Sequence, residues 1–504
     1  MKTHLLALSL LLAAAAPADE GPVVHIDSGA LRGSSASGIA SFKGVPYAAA
    51  PTGALRWRAP TPFSSWTGPR DATRYGNDCF QSRLPGDVAN SDQPMSEDCL
   101  FLNIWTPQPR VGAKLAVMVY IHGGGFSTGS GSAAILDGAR LAKRGVVVVT
   151  LNYRLGRFGF FANPALTREA AGGPTGNWGL MDQIAALKWV KRNIAAFGGN
   201  PANVTVFGES AGGESVSRLM VSPAAKGLFV KAIAASGGGR ESWPDLASSE
   251  AKGVAFATRE RVAPDDLAAL RALPADKVQG GINLLNGDEA HYSGPITDGR
   301  IVTGDTDTLL AAGAARGIRY IVGSNSDELG FIPASFLKAF ADKATAVLGP
   351  SADKVRAAYG SAEAYERHVA SDLTFTEPAF SLATREAAAG APTWLYRFGY
   401  VVEEKRAALT GASHATDVPF HFDNLAAAYG KPTPTDMAAA KLVADYWTAF
   451  AKTGDPNAKG RPAWPRFTPN APMMLRVGHK TDAAPADAPE IKAIAAARDA
   501  AKKK

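Results

Sequence analysis

The nine residues Thr205-Val206-Phe207-Gly208-Glu209-Ser210-Ala211-Gly212-Gly213 constrain this chain more than any others. An apolar run, Val204–Phe207, reads as a buried strand, and the residues after Gly213 fit a helix. Between them lies Gly208-x-Ser210-x-Gly212. A strand that turns directly into a helix brings the two elements so close that only small residues fit beside the turn. The turn pushes its central side chain into the open, and the helix N-terminus favours negative charge there. A bare G-x-S-x-G pattern is common by chance; between a strand and a helix it marks a nucleophilic serine. Ser210 is the candidate.

Strands of the same kind recur along the chain. Leu115–Ile121, Val146–Leu151, Ala232–Ala235, Ile318–Val322 and Thr393–Tyr400 are near-continuous apolar runs, Val146–Leu151 the richest in valine. Such strands are buried on both faces, which predicts an α/β fold with a central, mostly parallel sheet flanked by helices. Leu180, Ile184, Leu187, Val190, Ile194 and Phe197 recur at spacings of three and four and predict one flanking helix, ended by Gly198-Gly199. Thr435–Thr453 predicts another. Ser236–Asp298 and Ala334–Thr374 read as helical insertions capping the sheet, and Ile491–Lys504, rich in alanine and lysine, as a fraying tail.

Composition narrows the function. In 504 residues, 46% are hydrophobic, enough for a large core, and the net charge is only +7. The short basic runs Lys188–Arg192 and Lys502–Lys504 read as solvated charge, so nucleic acid is not an expected partner. Leu5–Ala16 is apolar but for Ser9, follows Lys2, and precedes Ala16-Pro17-Ala18. It is too short to span a bilayer, and it predicts a signal peptide over residues 1–18, one folded domain over 19–504, and a secreted or periplasmic product without a membrane anchor. Export suits the two cysteines, Cys79 and Cys99, which flank one polar loop and are expected to be bridged. Two such ligands are too few for a structural zinc site, and neither metal nor cofactor is expected.

A serine nucleophile needs oxyanion donors, a base and an acid. The strand Leu115–Ile121 runs into His122-Gly123-Gly124-Gly125-Phe126, whose backbone can turn N–H groups toward a substrate oxygen; the amide of Ala211 would add one more. The expected order is serine, acid, histidine. His291, His368, His414, His421 and His479 follow Ser210. His414, in Gly411-Ala412-Ser413-His414-Ala415, lies in a small-residue loop suited to presenting a side chain, whereas His421 between Phe420 and Phe422 reads as packed. Asp327 and Glu328 both follow the strand Ile318–Val322 and spacing does not separate them. Asp298, before Gly299, reads as a turn residue.

Taken with these residues, Phe42–Ala48, Leu55-Arg56-Trp57, Ser96–Ile104, Asn152-Tyr153-Arg154, Gly176–Gln183 and Phe197–Pro201 give the chain a close resemblance to the type-B carboxylesterase family, which includes bacterial para-nitrobenzyl esterases, animal carboxylesterases and cholinesterases. The resemblance implies an α/β-hydrolase fold and hydrolysis of a small-molecule ester by Ser210, His414 and Glu328. It places the oxyanion donors on Gly124, Gly125 and Ala211, matches Cys79–Cys99 to the family's first disulfide, and puts Glu209 and Ser236 beside the site. One departure from the cholinesterases is that the loop between the cysteines holds Phe80 and no tryptophan. An adhesion or scaffold relative without activity is the alternative from another class; those chains lack the serine or histidine and carry a membrane span. Amidases and lactonases are nearer alternatives, separated by comparing a matched ester and amide.

Overall fold

A computed structural model describes residues 21–240, 243–283 and 294–502. The expected signal peptide and His291 lie outside the described residues. Among these, eleven strands form the main sheet: β1 (Ser34–Ala36), β2 (Ile39–Pro46), β3 (Phe101–Thr106), β4 (Leu115–Ile121), β5 (Val146–Leu151), β6 (Gly199–Glu209), β7 (Lys231–Ala235), β8 (Arg319–Asn325), β9 (Thr393–Phe398), β10 (Met473–Val477) and β11 (Asp482–Pro485). Their spatial order is β11-β10-β9-β8-β7-β6-β4-β5-β3-β2-β1. From β10 through β5 every neighbouring pair is parallel, while both edges are antiparallel. All six expected strands lie in the parallel block.

Successive side chains of a strand face opposite sides, and here the two sides belong to two separate cores. Val117, Val119 and Ile121 of β4 pack with Leu180, Ile184, Leu187 and Val190 of helix α1 (Trp178–Asn193). Met118 and Tyr120 of the same strand point the other way, to the core that holds helix Pro434–Thr453 through Val443, Tyr446, Trp447 and Phe450. Each such side chain contributes about 1.5–3 kcal/mol by leaving water. A one-residue slip of β4 would exchange its two faces, so the central register is strongly specified.

The two stretches read as insertions carry helices where they are described, Leu246–Arg259 in the first and those after β8 in the second. Helix α2 (Ala211–Val221) follows the serine turn; after β8 come α3 (Ala334–Leu348) and α4 (Ala362–Ser371), then a single wide π-helical turn, Asp372–Thr376, leading into α5 (Glu377–Ala388). Next is α6 (Pro434–Thr453), capped by a reciprocal Thr433–Asp436 box at its start and by left-handed Gly454 at its end.

One expectation fails. The C-terminal stretch does not fray: α7 (Pro489–Ala501) buries Ile491, Ile494 and Ala497 on one stripe, and Lys502 pairs with Asp307 at 2.6 Å instead of standing in solvent. Three apolar residues at intervals of three suffice to dock a helix, and the alanine-rich composition hides them.

Cys79 and Cys99 are bridged, 20 positions apart. Closing that loop is expected to stabilise the fold by about 3 kcal/mol. Denaturant unfolding of Cys79→Ala/Cys99→Ala should lose that amount, and peptide mapping without reductant should show the linked pair; two alkylatable thiols in the native protein would refute the bridge.

Among the described residues no helix is long and apolar enough to cross a membrane.

Candidate active site

The serine turn follows from what its neighbours leave room for. A Cβ on Gly212 would stand 2.0 Å from the carbonyl oxygen of Ile121, and one on Gly208 would stand 2.5 Å from the Gly212 carbonyl carbon. Glycine at both positions lets β6, α2 and the end of β4 meet. Ser210 adopts φ 55°, ψ −127°, a conformation that costs an L-residue roughly 1–3 kcal/mol. Backbone bonds on either side hold it: Ser210 N–H donates to Ala235 O at 2.9 Å, and Glu214 N–H to Ser210 O at 2.8 Å.

The ends of three parallel strands deliver the groups around its hydroxyl. His414 Nε2 lies 2.9 Å from Ser210 Oγ, and His414 Nδ1 lies 2.8 Å from Glu328 Oε2. Glu328 is fully buried, and its other oxygen accepts from the Ser236 hydroxyl at 2.7 Å and the Asn325 N–H at 2.6 Å. The loop closes on itself, since His414 N–H donates to Glu328 O. The His414 ring also packs on Phe375 of the π-turn, ring centres 4.6 Å apart.

The remaining candidates sit elsewhere. Asp327 is turned away and accepts from Arg367 at 2.7 Å and Thr410 at 2.9 Å. Asp298 accepts the N–H groups of Ile301 and Val302, as a turn residue does. His421 is buried, stacked on Trp447 and 3.2 Å from Asp417; His479 packs on Tyr400, and His368 lies in α4.

Glu209 completes the electrostatics. Its Oε1 lies 3.3 Å from His414 Nε2 and has no hydrogen-bond partner of its own. Burial, the largest influence, raises the Glu209 carboxyl well above the usual range, with Asp417 and Glu328 adding to it against the opposing pull of His414. For His414 burial acts downward, but the carboxylates of Glu209 and Glu328 outweigh it and raise the imidazole above its ordinary value.

On the other side of Ser210, Gly124 (φ +100°) and Gly125 (φ +57°) form the bend after β4. A Cβ on Gly124 would meet Thr128 O at 2.2 Å. The backbone N–H groups of Gly124, Gly125 and Ala211 donate to no backbone acceptor among the described residues, and the last opens helix α2. His122 braces the bend. It stacks on Tyr153, donates from Nδ1 to Gly123 O at 2.8 Å, and is kept neutral because burial pushes it down to about 4. Phe126 continues the bend into an aromatic wall with Phe160 and Trp243, and Phe80 is stacked on Phe158. No group of three or more His, Cys, Asp or Glu among the described residues is arranged to hold a metal ion.

Sequence reasoning did not find Asn325, Phe375 or the Asp417–His421 pair. Phe375 depends on a π-turn that has no periodicity signal, and Asn325 reaches Glu328 through its backbone N–H, which every residue but proline carries, while its side chain donates to Ser413 O.

Comparison with known proteins identifies the family and the fold. Residues 20–493 match the model of the carboxylesterase family. The chain is 35% identical to fumonisin B1 esterase of Sphingopyxis macrogoltabida over 495 residues, covering 94% of this chain and 89% of that one. It is 37% identical to para-nitrobenzyl esterase of Bacillus subtilis (strain 168) over 462 residues, covering 88% and 92%. A solved PNB esterase structure superposes with a TM-score of 0.83 at 33% identity, covering 94% of this chain and 99% of that one.

Proposed function

The chain belongs to the carboxylesterase family and is a carboxylic ester hydrolase with an α/β-hydrolase fold, and from that premise we propose that it works through an acyl-serine intermediate, with Ser210, His414 and Glu328 as its triad. The observation that carries this reading is the unbroken hydrogen-bond chain from Ser210 Oγ through His414 to Glu328. His414 Nε2 takes the Ser210 proton as Oγ attacks the ester carbonyl, and Glu328 holds the imidazole in the required tautomer and stabilises the imidazolium. The N–H groups of Gly124, Gly125 and Ala211 receive the tetrahedral oxyanion. His414 returns the proton to the departing alcohol oxygen; water, deprotonated by the same nitrogen, then releases the acid and regenerates Ser210.

The direct test is a rapid-mixing assay with a chromogenic ester that deacylates slowly. A burst of one equivalent of alcohol, with the acyl mass found on the Ser210 peptide, is expected. A linear onset with no acyl adduct on Ser210 would overturn the covalent route.

The flanking carboxylates set the pH response. Only neutral His414 can act as base, so kcat/KM rises with pH through its titration, and an unperturbed imidazole would put that limb near pH 6.5. Because Glu209 and Glu328 raise the imidazole, the limb is expected above that value. Glu209→Gln removes one of the two carboxylates and should move it down by about one pH unit. A limb at the same pH in both proteins would show that Glu209 does not act on His414.

The same proposal includes export. It is supported by the apolar run Leu5–Ala16 before Ala16-Pro17-Ala18 and by the Cys79–Cys99 bridge. N-terminal sequencing of the exported protein should begin at Asp19.

A further inference from the structure

Beyond the triad, the largest buried ion network of the described residues converges on Arg240. Its side chain is 0% exposed. Nε donates to Asp307 at 3.0 Å, Nη1 to the Glu377 carboxylate and to Ser381 Oγ at 3.0 Å, and Nη2 to Asp499 at 2.5 Å. Around these acids lies a second ring of cations: Arg498 at 3.3 Å from Glu377, Arg385 at 2.6 Å from Asp499 and Lys502 at 2.6 Å from Asp307. An ion network of this kind is weak evidence for stability, since desolvation offsets much of the attraction. Its position in the chain is more informative.

Arg240 ends the segment Ser236-Gly237-Gly238-Gly239-Arg240. The three glycines contribute no side chain, and Gly238 and Gly239 stand at φ +61° and +106°. At one end the Ser236 hydroxyl bonds Glu328 and the Ser236 N–H donates to Gly323 O, and at the other the Arg240 guanidinium bonds its acids. Ser236 itself has φ +46°, a left-handed backbone that a non-glycine residue adopts at a cost. The second acid, Glu377, begins α5 directly after the π-turn, two residues beyond the Phe375 ring that packs on His414. One guanidinium thus fixes both the segment that orients Glu328 and the turn that backs His414. Its third acid, Asp499, comes from α7.

We propose that Arg240 is a positioning residue for the acid–base half of the triad, and that the C-terminal helix α7 completes this arrangement through Asp499. The proposal rests on the triad reading given above. Releasing Asp499 loosens the 236–240 segment, Glu328 spends less time on His414 Nδ1, and the base loses both its orientation and part of its raised pKa.

The test uses the full-length enzyme with Asp499→Asn, which is only partly buried (38% exposed side chain) and keeps its shape. Active sites are counted by the alcohol burst, so that misfolded protein does not enter kcat. Expected is a kcat per site lower by about three- to tenfold, KM unchanged, and an acidic limb of kcat/KM moved to lower pH. Asp499→Glu, which keeps the charge, should restore most of the loss. Arg385→Gln, which removes the other cation on Asp499, should shift the same quantities less, and it serves as the test if Asp499→Asn does not fold. A purely structural network would lower the melting temperature while leaving kcat per site and the limb where they are, and that result overturns the proposal. Ser210→Ala run in parallel separates the two failures: turnover there within tenfold of the wild type removes the triad itself, whereas a Ser210→Ala lowered by about 10⁴-fold beside an unaltered Asp499→Asn removes only the role of Arg240.

Discussion

Ser210→Ala is expected to fold as the wild type does and to lose about 10⁴-fold or more in kcat. Folding survives because the turn does not depend on the hydroxyl. Ser210 is held by its own N–H on Ala235 O and by its carbonyl under Glu214 N–H, and its Oγ bonds to His414 alone. Alanine carries the same Cβ, so the strained φ of 55° costs it no more than serine. Activity does not survive, because among the described residues no other hydroxyl or thiol bonds His414 Nε2; its other close neighbour, the Glu209 carboxyl, is 3.3 Å away. Residual hydrolysis would come from water, with the oxyanion donors still in place. Since triad members act as a unit, adding His414→Ala to Ser210→Ala should cost little further. Unaltered thermal unfolding together with kcat on a chromogenic ester checks both halves, and activity within tenfold of the wild type would remove Ser210 from the mechanism.

What could be read from the chain, and what could not, divides by the range of the interactions involved. The serine turn is local: Gly208, Ser210, Gly212 and the strand before them lie within one short segment, and each is dictated by close approach of its neighbours. Six of the seven parallel strands were legible for a similar reason, since burial on both faces makes Val146–Leu151 apolar throughout, while Met473–Val477 with its exposed Arg476 was not. The antiparallel edges were not. Ile39–Pro46 mixes Ser41, Lys43 and Gly44 with its apolar residues because an outer strand faces water in part. The choice between Asp327 and Glu328 is tertiary. They are adjacent in one loop, and what separates them is Arg367 and Thr410 holding the first while Ser236, Asn325 and His414 hold the second. Family resemblance, not spacing, selected Glu328, and the observed contacts supply the physical reason. The C-terminal helix was misread because composition outweighed a stripe of Ile491, Ile494 and Ala497, and with it the ion network around Arg240 stayed hidden.

Those contacts on Glu328 lead to the other large expected effect, that of Glu328→Gln. The substitution keeps size and shape and removes only the charge, yet it should cost about 10³- to 10⁴-fold in kcat near neutral pH. Oε1 of Glu328 receives two donors, the Ser236 hydroxyl and the Asn325 N–H. A glutamine amide can meet the Asn325 N–H only with its carbonyl oxygen, so its NH₂ group must occupy the place of Oε2, 2.8 Å from His414 Nδ1. Facing a donor, Nδ1 becomes the acceptor and the ring proton moves to Nε2, which then points N–H at Ser210 Oγ and cannot take its proton. Glu209 offers no substitute, because it stands at Nε2, on the far side of the ring. Glu328→Ala imposes no such tautomer and leaves space for water beside Nδ1. The more conservative glutamine variant is therefore expected to be no more active than the alanine variant, against the order that size and packing alone would give. Measuring kcat for both, with unfolding curves to confirm that each is folded, decides the matter. Glutamine within tenfold of the wild type would mean that Glu328 does not set the tautomer of His414, and alanine far below glutamine would mean that it acts by filling space.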